Sequence, residues 1–280
     1  MRAHPTNEVR PAAMAGTFYP DSPSTLGRMV DEFLAAAVKP AEGLAAPKAL
    51  IAPHAGYHYS GPVAGSAFAP LHQVRGIERV VLIGPSHHCA FEGVATTGAT
   101  AFATPLGVVP VNREAVEQIE RLPQVHRFER AHAGEHSLEV ELPFLQQVLG
   151  RFSIVPLVTG DAKDAVVAEI FSALWGGPET LIVVSSDLSH FYDYETACAL
   201  DRHTAKAIGH LTSRAIGPEH ACGRVAIRGL LHFLGTRGAQ ATTIDLRNSG
   251  DTAGGRDRVV GYGAFAVTPV GTDSTRSLSI

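Results

Sequence analysis

The chain has 280 residues, 45% hydrophobic and 18% charged, with 23 basic against 27 acidic side chains for a formal net charge of −4. This length and balance suit one sizeable packed core and exclude an intrinsically disordered chain. No basic run points to nucleic acid, and the apolar stretches are too short to cross a membrane as helices.

Ser22 is read as an N-cap, with Pro23 at the first helical position and Leu26, Met29, Val30, Phe33 and Leu34 at helical spacing behind it. The stretch from Lys39 to Pro47 reads as a loop. Ala49 to Ala52 is the first of four short apolar runs. The others are Arg79 to Gly84, Ser153 to Val158 and Leu181 to Ser185. Near-continuous apolar strands of this kind belong in a sheet buried on both faces. Helices are predicted for Arg113 to Leu122 with Asn112 as cap, for Ser137 to Leu149, for Tyr194 to Leu211 and for Gly223 to Leu234. A final strand is predicted for Gly261 to Val267. Alternation of strands and helices implies a layered α/β fold on a mainly parallel or mixed sheet, one domain over residues 1–270 with a polar tail at 271–280.

Histidine is the outlier, with fourteen present. Three sit where apolar runs end: Ala52-Pro53-His54-Ala55-Gly56-Tyr57, Gly84-Pro85-Ser86-His87-His88 and Ser185-Ser186-Asp187-Leu188-Ser189-His190. In open α/β sheets ligands bind beyond the carboxyl ends of strands. If these strands are parallel neighbours, His54, His87 and His190 converge on one sheet edge, where neutral imidazoles suit iron, zinc or copper. A carboxylate could complete such a site, and Glu135, Asp187 and Asp251 are the candidates. Turn capping is the competing reading for Asp187, and a place in a Gly-rich surface loop for Asp251. Glu135-His136-Ser137-Leu138-Glu139 explains its acids as a helix start but leaves His136 unexplained. Tyr57 is read as aromatic packing, and His58 and Tyr59 as pocket rim. His88 is given a supporting role. Cys89, Cys198 and Cys222 contain no CxxC pair, so neither a disulfide framework nor a zinc ribbon is expected, and Cys222 is read as a small buried residue before a helix.

These motifs, with Ala15-Gly16-Thr17-Phe18-Tyr19, Leu142-Pro143 and Cys222-Gly223-Arg224, resemble those of the Memo family, in order from about Arg10 to Val267. The likeness is to its bacterial and archaeal branch, named protein B of a system that also holds an AMMECR1-like protein and a radical SAM protein. The resemblance implies a class III extradiol dioxygenase-like fold. By that likeness His54 and His87 are metal ligands for Fe(II), with Cu or Zn as alternatives. His190 stands as the acid/base histidine, and Asp187 and His136 line the pocket. Animal members carry a cysteine ligand near the chain end. The stretch matched to it, Arg247 to Thr252, has none, so Asp251 is expected as the third ligand. The activity implied is dioxygenation of a small aromatic or enediol substrate. The alternative is a non-catalytic module that binds a peptide or ligand and serves the radical SAM or AMMECR1-like partner. Metal-assisted hydrolysis ranks last, because neither HExxH nor GxSxG occurs. A cytoplasmic protein, with a homodimer as the default assembly by general precedent, completes the expectation.

Overall fold

A computed structural model describes residues 8–39 and 45–269. The expected polar tail at 271–280, and part of the expected loop from Lys39 to Pro47, lie outside the described residues. In chain order the elements are β1 (Val9–Arg10), α1 (Pro23–Ala35), β2 (Ala49–Ala52), α2 (Tyr57–Phe68), β3 (Arg79–Pro85), β4 (Val94–Thr96), β5 (Ala101–Thr104) and β6 (Gly107–Pro110). Then follow α3 (Arg113–Ile119), β7 (Val125–Arg127), α4 (Glu129–His132), α5 (Leu142–Val148), β8 (Ser153–Thr159), α6 (Asp164–Leu174) and β9 (Thr180–Ser185). The last are β10 (His190–Tyr192), α7 (Tyr194–Gly209), α8 (Arg224–Leu234), β11 (Ala239–Asn248), α9 (Ser249–Thr252) and β12 (Val259–Pro269).

The large mixed sheet runs β10-β12-β2-β9-β3-β8-β4-β7, with β11 paired to β12. Its centre, β2-β9-β3-β8, is parallel throughout. These are the four apolar runs read from the sequence, and their side chains are buried almost without interruption. β12 and β4 join antiparallel on either side, so the sheet is mixed. A small sheet, β1-β5-β6, stands apart from it.

Helices cover this sheet in two groups. α2 lies against β2, β11 and β12 and carries α1 and α5. α8 lies against β3 and packs on α6. Pro23 starts α1 as read, and Asn112 Oδ1 accepts the Ala115 N–H to cap α3. The helix expected from Ser137 begins only at Leu142, preceded by a 3-10 turn over Glu139–Glu141. Pro143 explains the late start, since its missing N–H is tolerated only in a first turn. That leaves Glu135 to Ser137 as irregular chain free to aim side chains at the sheet edge. Among the described residues no helix is long and apolar enough to cross a membrane.

α1 and α2 approach closely at glycine. A Cβ on Gly65 would stand 2.5 Å from the Phe33 carbonyl oxygen, which is backbone and cannot swing away. Gly65→Ala should therefore lower stability by about 1–3 kcal/mol through overpacking, read as a lower urea midpoint at unchanged slope.

Candidate metal centre

The carboxyl ends of β2, β9 and β3 are adjacent in the sheet, so the turns after them meet. The turn after β2 carries His54, the turn after β3 carries His87, and the segment after β9 carries Asp187 and His190. The irregular chain before α5 brings His136 to the same edge. One nitrogen each of His54, His87 and His136 lies within 4.8 Å of the others. His54 is buried, His136 half-buried and His87 exposed, so the group opens to solvent at His87.

Each ring is oriented from behind. Ser185 Oγ lies 2.7 Å from His54 Nδ1, 2.5 Å from the Ser137 carbonyl oxygen and 2.7 Å from Glu141 Oε1. A hydroxyl has one proton, and the Ser137 carbonyl can only accept, so the hydroxyl donates there. The two lone pairs of Oγ are then left for His54 Nδ1–H and a protonated Glu141. Burial raises the Glu141 carboxyl well above its usual range, which keeps that proton in place. His54 is thus the Nδ1–H tautomer, with Nε2 unprotonated and facing the cluster. Burial, then repulsion from His87 and His136, holds its pKa well below the ordinary value.

Glu135 orients His87 twice. Its Oε2 accepts the His87 backbone N–H at 2.7 Å and its Oε1 meets His87 Nδ1 at 2.8 Å, while Oε1 also accepts the Ser137 N–H at 2.9 Å. Burial opposes ionisation of Glu135, but these donors outweigh it and hold the carboxyl below the ordinary range. A carboxylate on Nδ1 leaves Nε2 of His87 for a metal, the usual second partner of a ligating imidazole. His136 stacks between His87 and Phe18, with ring centroids 4.3 and 4.7 Å away. Burial, then His87, lowers its pKa to about 4. Glu135 and His136 themselves are anchored by the N-terminal segment. Arg10 donates to the carbonyls of His132 and Glu135 and pairs with buried Glu139, which also accepts from Ala13 N, Met14 N and Tyr19 Oη.

Asp187 lies within the group but supports the backbone. Its Oδ1 accepts the His54 N–H at 2.8 Å. Burial raises its pKa to about 7, against the lowering by the N–H groups of His54 and Ala55. His190 Nδ1–H donates to the Leu188 carbonyl at 2.8 Å, which leaves Nε2 as a base. Burial lowers its pKa, and its charge is coupled to His87 and His54. Phe191 beside it holds a φ of 63°, an uncommon conformation for a bulky residue, and its ring stands 5.7 Å from that of His190.

Two expectations change. Asp251 is not brought to the cluster: its carboxylate accepts the Asn248 N–H at 3.0 Å and the Tyr194 hydroxyl at 2.7 Å, in a capping box at the start of α9. The third side chain beside His54 and His87 is His136, expected on the pocket wall. Cys222 is more than a small residue before a helix. Its Sγ lies 3.3 Å from His54 Nε2. A thiol thus stands at the cluster from Cys222, just before α8, although none was expected there. Burial, then Asp187, pushes the thiol pKa up, so it stays protonated unless a cation displaces the proton. The signal that could have found it was Cys222-Gly223-Arg224, already recognisable as a motif. Tyr57 is buried and its hydroxyl donates to the Val140 carbonyl, which fits packing, and His58 and Tyr59 are exposed.

The donor set fits a first-row transition ion. Three imidazoles favoured in their neutral or carboxylate-paired forms converge with a thiol beside them, which is nitrogen and sulfur chemistry. A family model described as "Memo-like protein" matches residues 10–266. A MEMO1 family protein of Aquifex aeolicus is 35% identical over 266 residues, covering 91% of this chain and 97% of that protein. Others from Thermotoga petrophila and Ignicoccus hospitalis are 33% and 32% identical, covering 90% and 91% of this chain and 97% of each relative.

Glu135→Gln keeps the shape but removes the charge that orients His87. It should weaken metal affinity about 10–100-fold, measured by competition with a chromogenic chelator. On α7, buried Asp201 accepts the Ser189 N–H at 3.0 Å, and burial raises its pKa to about 6 from 3.8. Its stabilising contribution is full below pH 3.8 and is lost as pH rises through 6. Asp201→Asn should remove that fall, on the order of 2–3 kcal/mol, in urea titrations between pH 4 and 7.

Proposed function

This chain belongs to the Memo family, and we propose that it is a metal-dependent oxidoreductase holding Fe(II) on His54, His87 and His136. The observation that carries this reading is the convergence of three imidazole nitrogens within 4.8 Å. Cys222 stands as a fourth donor and makes Cu and Zn the competing ions. The proposed reaction is oxygen-dependent cleavage of a small aromatic or enediol substrate. The ion would supply Lewis acidity and one-electron chemistry when bound.

The chain's own residues supply the rest. His190 Nε2 is a free base, its other nitrogen being committed to Leu188, and it is suited to take a proton from a substrate hydroxyl. A flat aromatic substrate is supported by the rings at the edge: Phe18 on His136 and Phe191 beside His190. Tyr59 and Phe191 are among the exposed large hydrophobic side chains. Asp187 fixes the His54 turn, so the ligand geometry is set before substrate arrives.

Metal content and affinity measured on protein purified without oxygen and reconstituted with Fe(II) test this directly. About one ion per chain is expected, lost in His54→Ala, His87→Ala and His136→Ala. His190→Ala should keep the ion and lose at least 100-fold in catechol-dependent oxygen uptake. An unchanged ion content in all three ligand variants, or no binding by the unaltered protein, would sink the reading and favour a non-catalytic binding module.

A further inference from the structure

We propose that a second site, the cavity between the starts of α6 and α8, binds the phosphate group of a small phosphorylated molecule. The cavity, of about 440 Å³, is lined by Lys163 and Asp164 at the start of α6, by Arg214 and by Arg224 and Arg228 of α8, with Asp161 at its edge. Four cationic side chains thus face two carboxylates. Asp164 is engaged by Arg228, Nε to Oδ1 at 3.0 Å. Lys163, Arg214 and Arg224 remain, and among the described residues none of their side chains has a hydrogen-bond or ion-pair partner in the structure. Asp161 is the one carboxylate left to balance them.

Three separate parts of the fold deliver these cations, in a chain whose net charge is −4. Gathering like charges in a recess is unfavourable unless an anion compensates them. A carboxylate would neutralise one of the three. A phosphate monoester, close to a dianion at neutral pH, neutralises more, and two guanidinium forks match its oxygens. The first residues of α6 and α8, each of 11 residues, also line the cavity, so the positive ends of both helix dipoles add to the same field. The volume exceeds what phosphate alone fills and falls in the range of small-molecule sites.

Arg224 also lines a neighbouring cavity of about 300 Å³, together with Ser86, Phe91 and Cys222. Cys222 is the thiol that meets His54. A phosphate held by Arg224 therefore places the organic part of its ligand next to a recess lined by that thiol. The phosphate site itself does not depend on a metal being bound.

The test is isothermal titration of metal-free protein with inorganic phosphate and with phenyl phosphate at low ionic strength. Saturable binding of both is expected. Arg224→Met and Arg214→Met should each weaken it at least tenfold, with Arg224→Lys recovering part of the loss. Arg256→Met should change nothing, because Arg256 stacks on the Tyr194 ring away from the cavity. His54→Ala should also leave phosphate binding intact, which separates this proposal from the metal assignment. No saturable binding, binding indifferent to Arg224 and Arg214, or acetate and benzoate binding as tightly as phosphate would each overturn it.

Discussion

One serine hydroxyl sets the chemistry of the sheet edge. Ser185, the last residue of β9, must satisfy a carbonyl, a carboxyl and an imidazole at once. With a single proton to give, it forces Glu141 to stay protonated and His54 to present Nε2. The tautomer of the most buried ligand is thus decided by the hydrogen-bonding capacity of its neighbour. Burial alone disfavours a charged His54, but only this network says which nitrogen is bare. The space beneath is equally constrained, since a Cβ on Gly84 would stand 2.8 Å from Ser137 Oγ. Glycine lets the Ser137 segment lie directly on β3.

Glu135 and Glu141 show how the surroundings of a carboxylate decide its role. Both are buried. Glu135 meets three donors and is held ionised, where it can orient His87. Glu141 meets only a hydroxyl and is held neutral, where it can donate. Two acids six residues apart in one segment, one held ionised and one held neutral, therefore each orient a different imidazole. The buried Arg10–Glu139 pair stands behind them and fixes the segment that carries both.

The central strands and the turns that carry His54, His87 and His190 were legible because apolar, β-branched runs ending at polar turns have few alternatives in an α/β chain. The helices were legible where caps and Pro announce them, as at Ser22 and Asn112. α2 was missed because its sequence holds Pro62 and four glycine or serine positions that read as loop, yet small residues are what its close packing on Phe33 requires. β11 was missed because its outward residues are polar and its pairing with β12 is long-range. The same limit governs the site. Strand-end position picks out His54 and His87, whereas His136 and Cys222 arrive from irregular chain whose direction only tertiary packing sets. Asp251 looked available in the sequence because its partners, Tyr194 and the Asn248 N–H, are a matter of local capping geometry that composition does not reveal.

The strand order has a consequence for the newly made chain. β2 and β3, which precede His54 and His87, are not neighbours: β9 lies between them. The two ligand turns therefore cannot meet while the chain is being synthesised through β3, and they wait for a strand encoded far downstream. Until then both β2 and β3 present open, apolar edges, which are the usual templates for intermolecular pairing. The His190 segment waits longer still, because Leu188 and Ser189 are fixed by Gly261 of the last strand. The histidine cluster is then assembled late in the life of the polypeptide, following topology rather than guiding it, and slow nucleation through non-local contacts is the expected bottleneck of its biogenesis.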